Sequence, residues 1–130
     1  MATSILLVEH LRHAAADIDC LLTQQGYKVR TVLSATQALS AWHECPADIV
    51  LSRVTFAESI NGLDLAHRLE ASGAVVILYS PFPADLLQRI PGFSTTSILY
   101  IDIQRGFADL LKALQGFAEL RAKRENDIRQ

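Results

Sequence analysis

Asp48-Ile49-Val50-Leu51-Ser52-Arg53 decides the reading of this chain. It is a short apolar run that ends in a cation. A run without polar alternation fits a strand covered on both faces, as in a parallel sheet. Similar runs stand at residues 5–8, 74–79 and 98–101, and a fifth strand is expected at 28–32, centred on Val29.

Helical patterns fill the gaps between these runs. Residues 11–25 place Ile18, Leu21 and Leu22 on one face, and Gly26 suits the left-handed cap that ends a helix. Ser34 and Gln37 form a capping box for a helix to about Glu44, which Pro46 stops. A polar loop over 55–61 leads to an amphipathic helix from Gly62, with Asn61 as N-cap, Asp64 in the first turn and Gly73 at the end. Pro81 and Pro83 predict a turn and a short helix over 84–90, closed by Pro91-Gly92. Phe107, Leu110, Leu111, Leu114, Phe117 and Leu120 make a long helical stripe, expected first of all to be core, with a final turn that could extend past the sheet as an interaction surface. The charged tail from Arg121 is expected to fray. Alternating strands and helices predict an α/β doubly wound parallel sheet of five strands with helices on both faces. One domain is expected over 1–130, with its core at about 4–120. A ligand site would lie at the carboxyl ends of the strands.

Composition narrows the function classes. The chain has 130 residues, 50% hydrophobic and 20% charged, so a packed core is expected rather than disorder. A net charge of -2 supplies no basic stripe for nucleic acid. No apolar run approaches the roughly 20 residues of a membrane helix. Met1-Ala2-Thr3-Ser4 lacks the basic start of a signal peptide. Cys20 and Cys45 lack metal-type spacing and are expected to be reduced thiols in a cytoplasmic protein.

The predicted strand ends bring Glu9-His10, Arg53, Ser80 and Asp102 to one region. Together with Ile5-Leu6-Leu7-Val8-Glu9, Gly26-Tyr27-Lys28-Val29, Ala47-Asp48-Ile49-Val50-Leu51 and Asn61-Gly62-Leu63-Asp64-Leu65-Ala66, they make the chain resemble a response-regulator receiver domain. The resemblance runs from about Ser4 to Leu120 and implies a flavodoxin-like (βα)5 fold with strand order 2-1-3-4-5. It also implies which groups have changed. Receivers bind Mg²⁺ through paired acids after the first strand; here the pair is Glu9 and His10, and imidazole is a poor ligand for a hard cation. The phosphate-accepting aspartate is replaced by Arg53, which has no nucleophilic oxygen. The hydroxyl of strand four is kept as Ser80. The lysine of strand five is missing: spacing puts Asp102 there, with Ile103 as the adjacent register. The loop after Arg53 is one residue longer than usual.

Three carboxylates around a metal have thus become a site whose charge sums near zero before Asp102 is counted. Arg53 is expected to stand in the metal's place and pair with Glu9 or Asp102, with Mg²⁺ binding lost or weak. The chain then reads as a stand-alone, phosphorylation-independent receiver, not an enzyme, with no effector domain following. Its partner would be a histidine kinase, a phosphotransfer protein or an effector. The resemblance offers Leu86, Leu87, Ile90, Leu99, Tyr100, Ile101, Leu110 and Leu114 as the partner surface, through which a homodimer could also form.

Simpler roles stand beside these. Arg53 could point to solvent, and Glu9 could serve only the N-terminus of the following helix. His10 and His13 lie a turn apart but lack a third ligand, so a solvated helix start is expected. His43 and His67 read as surface residues, Trp42 as half-buried, and Tyr79 and Tyr100 as core or edge packing. In receivers one strand-five aromatic swings; the preferred register puts Leu99 there, the other Tyr100. Ser80 has no nucleophile elbow around it. Two alternatives remain: a receiver phosphorylated at a substitute such as Ser52, which alternation turns away from Arg53, and a flavodoxin-like small-ligand module. The second lacks a Gly-rich loop after the first strand.

Overall fold

A computed structural model describes residues 2–54, 62–80, 99–104 and 106–129, with 63 and 120–129 described as backbone only. The elements are β1 (Ser4–Val8), α1 (Arg12–Gln24), β2 (Lys28–Val32), α2 (Ala35–Glu44), β3 (Ile49–Arg53), α3 (Gly62–Ala71), β4 (Val76–Ser80), β5 (Leu99–Asp102) and α4 (Ala108–Arg129). The helix expected at 84–90 lies outside the described residues. All pairings are parallel, and the strand order is β2-β1-β3-β4-β5.

Strand alternation divides the apolar residues between two cores. Leu6, Val8, Val50, Val54, Val76 and Leu78 face α2 and α3, where Trp42, Leu65 and Leu69 meet them. Ile5, Leu7, Ile49, Leu51, Ile77, Tyr79 and Ile101 face α1 and α4, where Ile18, Leu22, Leu110 and Leu114 meet them. The inner strands β1, β3 and β4 therefore lack polar alternation because both of their faces are covered, whereas edge strand β2 exposes Lys28 and Arg30. Trp42 is more buried than expected, at 7% exposure, because α2 lays it on the β1–β3–β4 side of the sheet.

Local chemistry sets the ends of the elements. Gly26 has φ +93°, the left-handed conformation that closes α1. The Ser34 hydroxyl accepts the Gln37 N–H at 3.1 Å, as expected of an N-cap. The return bond differs from the expected box: Gln37 Oε1 accepts from the Leu33 N–H at 3.0 Å, one residue before the cap. The Asp48 carboxylate accepts from the Ser4 N–H at 2.8 Å and from its hydroxyl at 3.2 Å. In return the Asp48 N–H donates to Ser4 Oγ at 3.0 Å. This clamp joins the starts of β1 and β3 and fixes the register Ile5↔Ile49.

α4 continues to Arg129, through the charged segment that begins at Arg121. The segment is rich in Ala, Glu, Lys and Arg, all strong helix formers.

Gly62 opens α3 against the end of β3, and its N–H donates to the Val54 carbonyl at 2.6 Å. A Cβ there would meet the Arg53 carbonyl oxygen and stand 2.7 Å from the Val54 Cα. Gly116, in the interior of α4, has nothing within 4 Å of such a Cβ. The two glycines therefore predict opposite outcomes in urea melts. Gly62→Ala destabilises by about 1–3 kcal/mol through overpacking. Gly116→Ala stabilises by roughly 0.5–1 kcal/mol through helix propensity.

Candidate functional site

The register at the carboxyl edge determines which side chains meet. Val8 pairs with Ser52, and Arg53 pairs with Tyr79. Glu9, one step beyond Val8, therefore stands beside Arg53, with Tyr79 on Arg53's other side. Glu9 is fully buried, at 0% exposure. Arg53 Nη1 donates to Glu9 Oε1 at 3.0 Å, and the Tyr79 hydroxyl donates to the same oxygen at 3.1 Å. The Leu11 N–H donates to Oε2 at 3.2 Å, and His10 Nδ1 lies 3.4 Å from Oε2. Glu9 thus has both roles considered for it: it partners Arg53 and it satisfies a backbone donor at the start of α1.

A buried carboxylate is tolerated only when it is paired and hydrogen-bonded. Arg53 supplies the charge, with its own side chain 15% exposed. Among the described residues its Nε has no hydrogen-bond partner, and the guanidinium engages Glu9 through Nη1 and not as a two-pronged fork. The phenol of Tyr79 is held well above the ordinary tyrosine range. Burial is the largest cause; the Glu9 charge and hydrogen bond add to it, and Arg53 opposes it.

Ser80 and Asp102 also face each other in register, but they belong to a different group. Asp102 Oδ1 accepts from the Gln104 N–H at 2.7 Å, and the partner of Arg53 is Glu9, not Asp102. Alternation along β5 puts Asp102 with Tyr100, whereas Ile101 and Ile103 pack on the Tyr79 side. Ser80 is buried, and its hydroxyl contacts the Tyr100 phenol. Burial raises that phenol's pKa, the Ser80 bond opposes the rise, and Asp102 adds to it. Tyr100, and not Leu99, is therefore the strand-five residue that meets the strand-four hydroxyl. Ser52 is buried, and its hydroxyl donates to the Arg53 carbonyl at 3.0 Å.

The expected partner surface needs correction. Ile101, Leu110 and Leu114 are core residues, because the α4 stripe faces the sheet. Leu99 is 50% exposed and Tyr100 is half-buried. Leu86, Leu87 and Ile90 lie outside the described residues. His13, His43 and His67 are exposed, as are the free thiols Cys20 and Cys45. Among the described residues no group of three or more His, Cys, Asp or Glu is placed to hold a metal ion. No described helix is long and apolar enough to cross a membrane.

Sequence reasoning missed Tyr79. Its only signal was register, since a tyrosine opposite a charged strand end can direct its hydroxyl there.

Removing Arg53 leaves a buried anion without its charge partner. Arg53→Ala is expected to cost about 3–5 kcal/mol in a urea melt. Tyr79→Phe removes a hydrogen bond to a charged group and costs about 1.5–3 kcal/mol at neutral pH. A raised phenol pKa means that the folded state holds this proton more tightly than the unfolded chain. The resulting stability is complete below about pH 10 and falls as pH rises above it, by up to about 1.4 kcal/mol per pH unit. Urea midpoints of Tyr79→Phe should therefore depend less on pH above about pH 10 than those of the unsubstituted chain.

No protein-family model matches the chain, and no curated protein matches it significantly. Solved structures do. A response-regulator receiver domain protein from Clostridium thermocellum is 21% identical, with a TM-score of 0.78 over 94% of this chain and 98% of that one. A response-regulator receiver domain from Methylobacillus flagellatus is 25% identical, with a TM-score of 0.75 over 90% and 99%. The Thermotoga maritima response regulator TrrA, in complex with Mg²⁺ and BeF, is 20% identical, with a TM-score of 0.75 over 88% and 98%. Many of the chain's structural neighbours are response-regulator receiver domains, and the chain has the receiver fold.

Proposed function

We propose that this chain serves two-component signalling as a phosphorylation-independent receiver, acting by docking on a protein partner and not by accepting phosphate. The observation that carries this reading is the buried contact between Arg53 and Glu9. A receiver site gathers carboxylates, and a divalent cation relieves their repulsion. In this chain a guanidinium 3.0 Å from Glu9 provides that relief internally.

The residues do not fit Mg²⁺. The ion takes oxygen ligands in near-octahedral geometry. The charged oxygen it would need at Glu9 faces a cation and a phenol, and the neighbouring ligand position is an imidazole. The strand-five lysine is also absent. Whether its counterpart is Asp102 or Ile103, neither side chain offers a cation to a phosphoryl group. Ser52 is a poor substitute acceptor, being buried with its hydroxyl committed to a backbone carbonyl. For the partner, a histidine kinase, phosphotransfer protein or effector, Leu99 is the accessible apolar contact on β5.

Incubation with acetyl phosphate and Mg²⁺, followed by intact-mass measurement and Phos-tag electrophoresis, tests the reading. No phosphoryl adduct is expected. A Mg²⁺-dependent adduct would overturn it.

A further inference from the structure

We infer that Tyr79 is a second block on the Glu9 carboxylate, so that removing the Arg53 guanidinium alone does not return Glu9 to a divalent cation. The inference rests on the phosphorylation-independent reading and adds a residue to which sequence patterns assign only packing.

The geometry carries it. An ionised carboxylate has about four lone-pair positions. In Glu9, Oε1 is shared by Arg53 Nη1 and the Tyr79 hydroxyl, while Oε2 takes the Leu11 N–H and faces His10. Replacing Arg53 vacates one position. The hydroxyl of Tyr79 keeps another, and its ring cannot retreat readily, since Tyr79 is fully buried among Ile5, Leu7, Leu51 and Ile101. A hard cation at Glu9 would have to displace the phenolic proton donor from the oxygen to which it donates.

The block is read by Mg²⁺ titration calorimetry on full chains that carry restored acids. The background is His10→Asp with Arg53→Asp, compared with the same chain plus Tyr79→Phe. Phenylalanine preserves the packing, and thermal melts establish that both chains fold. The chain with phenylalanine at 79 is expected to bind Mg²⁺ at least about ten-fold more tightly. Equal affinity in the two chains would overturn the inference. Mg²⁺ binding by the unsubstituted chain would instead defeat the reading beneath it, so the two failures are distinguishable.

Should the acid-restored background not fold, a stability cycle keeps the inference testable. Arg53→Met and Tyr79→Phe, alone and together, shift the urea midpoint. Two residues on one oxygen should give a double variant that departs from the sum of the single shifts. Shifts that simply add would overturn the inference.

Discussion

The carboxylate of Glu9 is the point on which the carboxyl edge of this molecule depends. It is fully buried, and it is held by one cation, one phenol and one backbone amide. A bare anion in that position would be several kcal/mol too costly to keep. The cation from β3 and the hydroxyl from β4 arrive beside it because parallel pairing sets Val8 against Ser52 and Arg53 against Tyr79. The same contacts that make the burial tolerable also use the oxygens that would otherwise serve a metal.

The arrangement separates scaffold from chemistry. The sheet order, the Ser4–Asp48 clamp and most of the two apolar cores are built from residues away from the carboxyl edge, while Tyr79 serves both a core and the Glu9 site. The hydrophobic pattern specifies the fold without prescribing the charges at that edge. The Glu9–Arg53 pair needs no ligand to balance its charge, which agrees with the proposed docking role. Fold alone does not imply function, and the proposed docking role rests on the Glu9–Arg53 site.

Much of the fold was legible in the residues. Continuous apolar strands reported a sheet covered on both faces, and Gly26, Ser34 and Pro46 marked ends that follow from backbone geometry and capping. The meeting of Arg53 with Glu9 was legible because both sit at strand ends on neighbouring strands. Other features depend on tertiary register, which local pattern does not encode. Tyr79 looked like packing because its hydroxyl acts across two strands. Asp102 shared an edge with Arg53, but alternation along β5 placed it on the Tyr100 side. The receiver resemblance places Ile101, Leu110 and Leu114 on a partner surface, whereas the apolar stripe reads first of all as core, and their burial follows the stripe. The close approach at Gly62 involves the backbone of β3, which no window around the glycine contains.

A crystal structure of the chain grown with Mg²⁺ and beryllofluoride tests the central claim most directly. The account predicts Arg53 Nη1 and the Tyr79 hydroxyl still within hydrogen-bonding distance of Glu9 Oε1, with neither ion at the carboxyl edge. A divalent cation bound to Glu9, with Arg53 turned away, would contradict it.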